Sequence, residues 1–179
     1  MKFIETGIKD LLEIHPVKYR DHRGYFMESF HAKKLHDAGI SAPFVQDNQS
    51  FSKKGVLRGL HFQKAPYAQG KLISVIFGKV LDVVVDIRKS SPTFGKYFKC
   101  VLDDEKHNML YVPEGMAHGF LALEDSLFVY KCTSFYHKES EAGIVWNDDE
   151  LAIDWGVSDP ILSEKDAVLP SFHQVMEKL

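Results

Sequence analysis

The chain has 179 residues, 45% hydrophobic and 26% charged, which suits one globular domain with a substantial core. A formal net charge of -3 excludes the strong basic field that draws proteins to nucleic acid or anionic membrane, so placed Arg and Lys must hold any anionic ligand. The two cysteines, Cys100 and Cys132, lie in apolar runs with no CxxC pair; this excludes a disulfide framework and a cysteine-based zinc site.

A turn at Asp21-His22-Arg23-Gly24 leads into a predicted strand over residues 25–30. Residues 31–38 read as a helix stopped by Gly39. Residues 71–77 (KLISVIF) are closed by Gly78-Lys79 and followed at once by 80–87 (VLDVVVDI); the pair is predicted to form a hairpin on a tight glycine turn. A loop at 90–95 precedes strands over 97–102, 109–112, 119–123 and 127–133. Ser163, with Asp166 three residues on, reads as the N-cap of a short helix, and Pro170 prevents a long continuation. No repeat or low-complexity linker divides the chain, so one domain over 1–179 is expected, with an N-terminal arm over about 1–50 and a short helical tail over about 162–179. Many short, evenly spaced strands predict an all-β fold with minor helix, a sandwich or barrel of the jelly-roll kind. Neither a long apolar run nor an apolar N-terminal segment is visible, so a cytoplasmic protein without membrane contact is expected.

The densest polar cluster is Arg58-Gly59-Leu60-His61-Phe62-Gln63. Alternation on a strand puts His61 and Gln63 on one face, Leu60 and Phe62 on the other. An inward imidazole and amide are either a satisfied structural pair or part of a site. Pro113-x-Gly115-x-x-His118 has the form of a cupin signature. Metal-binding cupins carry an earlier H-x-H, and here Gln63 stands in place of its second His. Two imidazoles without further ligands make a poor transition-metal site, so a cupin-shaped, metal-free barrel (a double-stranded β-helix) is expected.

Lys71 is either a solvated edge lysine or one reaching into the barrel mouth. Asp82 and Asp86 share a strand face, and Asp86 reads best as the salt-bridge partner of Arg88. Arg23, Tyr25, Phe26, Glu28 and Phe30 combine charge suited to phosphate with rings suited to a base, although on these residues alone an arm packed apolar side down is the better account. Gln46 and Asn48 share a face, and two amides can read the edge of a pyrimidine.

Taken in order, these stretches resemble the dTDP-4-dehydrorhamnose 3,5-epimerase family. The matching segments are DHRGYFMESF at 21–30, QDNQSFS at 46–52, GVLRGLHFQ at 55–63, DVVVDIR with SPTFG over 82–95, VPEGMAHGF at 112–120, FVYKCT at 128–133 with Tyr136, GIVWND at 143–148 and LSEKD at 162–166. Trp155-Gly156 departs from the family's frequent Trp-Pro and touches only a loop. The resemblance implies epimerisation at C3 and C5 of dTDP-4-dehydro-6-deoxy-D-glucose, giving dTDP-4-dehydro-L-rhamnose without a cofactor. It also implies His61 as the base with Asp166 as its partner, Tyr130 as the acid, and Lys71 with His118 at the enolate oxygen, Asp82 supporting His118. Arg58 would bind diphosphate with Arg23 and Glu28, these two on an arm exchanged within a homodimer. Gln46 and Asn48 would contact thymine, Phe26 would stack near it, and Tyr136 would contact the sugar.

The chemistry accounts for these residue types. A C4 ketone acidifies the hydrogens on C3 and C5; an imidazole suits their removal near neutral pH, and a carboxylate fixes its tautomer. Inversion needs a second group to return the proton from the other face. No net redox change occurs, and no GxGxxG is present. The alternatives are a related enzyme acting on one centre or moving the keto group, a non-catalytic sugar-binding module, and, more distantly, a metal-dependent dioxygenase.

Overall fold

Thirteen short strands and two helices make up the computed structural model, which describes residues 1–179. The strands are β1 (Lys2–Glu5), β2 (Leu12–His15), β3 (Lys18–Asp21), β4 (Gly24–Met27), β5 (Gln46–Ser52), β6 (Leu57–Gln63), β7 (Lys71–Phe77), β8 (Lys79–Asp86), β9 (Tyr97–Asp103), β10 (Met109–Val112), β11 (Met116–Ala122), β12 (Ser126–Cys132) and β13 (Glu141–Gly143). Helix α1 spans Ala32–Asp37 and α2 spans Phe172–Met176. A six-stranded sheet runs in the order β1-β2-β10-β7-β12-β5, and a five-stranded sheet in the order β13-β6-β11-β8-β9. The fold is all-β with minor helix, a cupin-like jelly-roll barrel, as the strand spacing suggested.

The hairpin expected between residues 71–77 and 80–87 does not form. Strand β7 pairs with β10 and β12, whereas β8 pairs with β11 and β9 in the other sheet. Gly78 (φ +81) carries the chain across, and a Cβ there would lie 2.1 Å from the Asp125 carbonyl oxygen. The glycine that reads as a hairpin turn is a corner between sheets.

Alternation sorts the side chains of the five-stranded sheet. Val80 and Val84 of β8 join Ile73, Val75, Phe120 and Phe128 between the sheets, while Val83 and Val85 join Leu60, Phe62, Ile144 and Trp155 on the other face. Burial of each large side chain contributes about 1.5–3 kcal/mol. The site lies where polar side chains, His61, Lys71 and His118 among them, enter the barrel interior.

At the N-terminus, β1 and β2 are built into the six-stranded sheet, and only β3–β4 forms a separate two-stranded ribbon. Helix α1 forms where expected, ahead of Gly39, and seats the buried Leu35 with Ile14, Leu72 and Met109. Helix α2 lies within the helical tail expected over about 162–179. Ser171 and Gln174 form a capping box directly after Pro170, so the proline precedes a helix as well as ending the segment before it. No helix is long and apolar enough to cross a membrane.

Candidate active site

A cavity of about 270 Å³ opens in the barrel, lined in part by Arg58, His61, Lys71, His118, Tyr130 and Asp166. Larger surface hollows occur elsewhere, including one of about 740 Å³ lined in part by residues 7–12 and Pro92-Thr93. None of these gathers comparable titratable groups. The chemistry of the lining therefore singles out the smaller cavity.

His61 and His118 sit directly opposite each other on β6 and β11. Simple alternation would turn Arg58 away from His61, three residues on. A β-bulge removes the conflict: His118 pairs with His61 and Phe120 with Arg58, so two steps on β11 match three on β6. Gly59, inside the bulge, has φ +113, and a Cβ there would lie 2.6 Å from Gly119 Cα. Only glycine permits this approach, which lets both Arg58 and His61 line the cavity.

His61 Nε2 lies 2.6 Å from Asp166 Oδ1, with the imidazole 30% exposed and the carboxylate 4% exposed. Asp166 comes from the C-terminal tail, where Ser163 Oγ accepts its backbone N–H at 3.1 Å. A parallel bridge between Val56 and Ile161 ties that tail to the start of β6. Burial pushes the Asp166 pKa up, but the hydrogen bond from His61 and its charge outweigh this, and the net shift is downward. His61 Nδ1 is the ring nitrogen left for a ligand.

His118 Nε2 lies 2.9 Å from Asp82 Oδ2, and both side chains are buried. Burial drives the His118 pKa below its ordinary value although Asp82 pulls it the other way, which favours the neutral ring. Burial likewise lowers the Lys71 pKa, against the charges of Asp82 and Glu141, and its Nζ lies 5.8 Å from the Tyr130 ring centroid. Burial raises the Tyr130 pKa, so its hydroxyl stays protonated at neutral pH. Arg58 Nε donates to Ser52 Oγ at 3.0 Å and Nη2 to the Phe51 carbonyl at 3.2 Å, leaving donors free.

Other expected ligand residues lie apart. Gln46 and Asn48 hydrogen-bond each other at 2.9 Å on the β5 face whose Ser50 lines the cavity, and the Gln46 amide oxygen also accepts the Tyr136 N–H. Arg23 pairs with Asp21, Glu28 with Lys34, and Phe26 is 67% exposed on the ribbon; none of these three lines the cavity in one chain. Asp86 is buried against Arg88, Ser91 and Thr93, as its spacing from Arg88 suggested. No group of three or more His, Cys, Asp or Glu side chains is arranged to hold a metal ion.

The family model for dTDP-4-dehydrorhamnose 3,5-epimerase matches residues 5–174. The chain belongs to that family. It is 53% identical over 168 residues to the dTDP-4-dehydrorhamnose 3,5-epimerase of Shigella flexneri, covering 93% of each chain. The crystal structure of the corresponding epimerase from Elizabethkingia anophelis NUHP1 superposes with a TM-score of 0.94 at 47% identity, covering 97% of each chain. The dTDP-6-deoxy-D-glucose-3,5-epimerase of Legionella pneumophila Philadelphia 1, solved in complex with dTDP-4-keto-L-rhamnose, superposes with a TM-score of 0.93 at 47% identity, covering 97% of this chain and 94% of that one. Within this epimerase-family site, two residues escaped the sequence reading. Lys165 lines the cavity and pairs with Glu141 at 2.6 Å, and Glu141 accepts the Tyr136 hydroxyl at 3.0 Å. Lys165 directly precedes Asp166 in LSEKD, which was a usable signal; Glu141 carries none before its strand is paired.

Proposed function

We propose that this epimerase inverts C3 and C5 of dTDP-4-dehydro-6-deoxy-D-glucose, giving dTDP-4-dehydro-L-rhamnose for dTDP-L-rhamnose synthesis. The observation that carries the reading is one cavity that gathers an imidazole backed by a buried carboxylate, a lysine amine and a tyrosine phenol. His61 Nδ1 takes the proton next to the C4 ketone, and the electron pair of the broken C–H bond moves onto the ketone oxygen as an enolate. Asp166 stabilises the imidazolium that forms. Lys71 carries the enolate's charge; a single well-placed donor of this kind contributes about 3 kcal/mol. Neutral His118, its Nε2–H donated to Asp82, offers Nδ1 as an acceptor for the Lys71 ammonium or a sugar hydroxyl. Tyr130 returns a proton to the opposite face, which inverts the centre. Oxidation state is unchanged, so the reaction calls for no redox cofactor, and His61, Tyr130 and Lys71 supply the base, the acid and the enolate's partner without a metal.

Arg58 suits the diphosphate, Gln46 and Asn48 the thymine, and Tyr136 the sugar. Arg23, Phe26 and Glu28 reach a cavity only as a second chain's ribbon in a C2 homodimer. The exposed Phe51, Ile76 and Phe77 on the six-stranded sheet, with Tyr19 and Phe26 on the ribbon, supply apolar surface for that contact. The unpaired cysteines suit the reducing cytoplasm.

Incubation with dTDP-4-dehydro-6-deoxy-D-glucose in deuterium oxide, read by NMR, should place solvent deuterium at both C3 and C5 with inversion. Label at C3 alone would make the enzyme a monoepimerase, and no label would remove the epimerase reading.

A further inference from the structure

Tyr136 is 53% exposed and sits on residues 133–137, a segment without regular secondary structure. One buried side chain holds the backbone on both sides of it. Gln63, at the end of β6, is 7% exposed. Its Nε2 donates to the Phe135 carbonyl at 3.3 Å and the Tyr67 carbonyl at 2.6 Å, and its Oε1 accepts the His137 N–H at 2.8 Å. Gln69 adds a bond from Nε2 to the Ser134 carbonyl at 2.7 Å, and the Tyr67 and His137 rings stack with centroids 3.7 Å apart.

We propose that Gln63 is a positioning residue for epimerisation: its amide brackets Tyr136 and sets the phenol against the sugar ring. The proposal rests on the role given to Tyr136 under the proposed function. Gln63 shares its strand face with His61, and the Tyr136 hydroxyl reaches the cavity-lining Lys165 through Glu141, so the strand that presents the base also holds the segment beside the site. The partners of Gln63 are all backbone groups, so its replacement frees the segment without removing any side chain that meets substrate. A shift of about 1 Å in a positioning group can cost about 100-fold in rate.

Gln63→Met keeps the length and removes all three hydrogen bonds. Its kcat should fall about 10- to 100-fold, and hydrogen exchange at the His137 amide should accelerate. In a Tyr136→Ala background the same change should cost less than about twofold, because Gln63 acts through Tyr136. Multiplying effects in that cycle, or an unchanged kcat in folded Gln63→Met, would overturn the proposal. If Gln63→Met does not fold, Gln63→Glu, which keeps the acceptor and loses both donors, carries the same cycle. A wild type that puts no deuterium into the sugar fails the epimerase reading itself. Unaltered exchange at His137 in Gln63→Met is a separate result and overturns the clamp alone.

Discussion

The cavity holds two histidine–aspartate pairs that differ mainly in burial. His118–Asp82 lies wholly within the five-stranded sheet on neighbouring strands, its imidazole 7% exposed and its carboxylate fully buried. His61–Asp166 joins a strand to a tail 105 residues away, and its imidazole is 30% exposed. Burial lowers the His118 pKa, because an imidazolium there would lose its hydration. His61 can reach both substrate and solvent while its carboxylate stays dry and fixed. The same two side chains thus make a buried, fixed pair in one place and, under the proposed mechanism, a proton carrier in the other.

The largest expected effect tests the exposed pair. His61→Asn should lower epimerisation by about 100- to 10,000-fold and remove solvent exchange at C3 and C5. Tyr130→Phe should lose inversion to a similar extent while exchange survives, because the base can return a proton to its own face. Both variants must bind dTDP normally by calorimetry; deuterium still entering C5 in His61→Asn would move the base elsewhere, and full inversion in Tyr130→Phe would make Tyr136 the next acid to test.

Next in size is the contrast between the carboxylates. Asp166→Asn should cut kcat by about 100-fold or more with dTDP affinity intact, because the imidazolium loses its counter-charge. Asp82→Asn should cost about tenfold, because a neutral His118 needs orientation and not a counter-charge. Equal losses in steady-state kinetics would break the distinction between the pairs.

The smallest effect separates fold from site. Burial pushes the Asp86 carboxyl up, but hydrogen bonds from Arg88, Ser91 and Thr93 hold its pKa at about 2, below the ordinary 3.8. A carboxyl depressed on folding stabilises the protein above its unfolded value and loses that contribution as pH falls through the folded one. Asp86→Asn should therefore lower the melting temperature at pH 7 and flatten its fall between about pH 4 and 2. Epimerase activity of the folded variant should be unchanged, since Asp86 does not line the cavity.

Much of the site was legible before folding because period-two alternation follows from backbone geometry. His61 on the interior face opposite Leu60 and Phe62, and Asp86 against Arg88, could be read residue by residue. Two things could not. The β7–β8 hairpin was misplaced because a glycine corner and a glycine turn share one local signal, and only the partner strands distinguish them. The bulge at Gly59 was invisible because alternation assumes an unbroken register.

The sequence by itself determined the all-β class, the polar residues that enter the barrel interior and, through the order of its motifs, the epimerase family. Those properties rest on covalent geometry, side-chain chemistry and short spacings, all of which are local. Tertiary structure alone decided which sheet each strand joins, that Asp166 lands 2.6 Å behind His61, and that Gln63 ends on the backbone around Tyr136. Such contacts join segments far apart in the chain, and they form because burying the apolar faces leaves each interior polar group to find its partner across the fold.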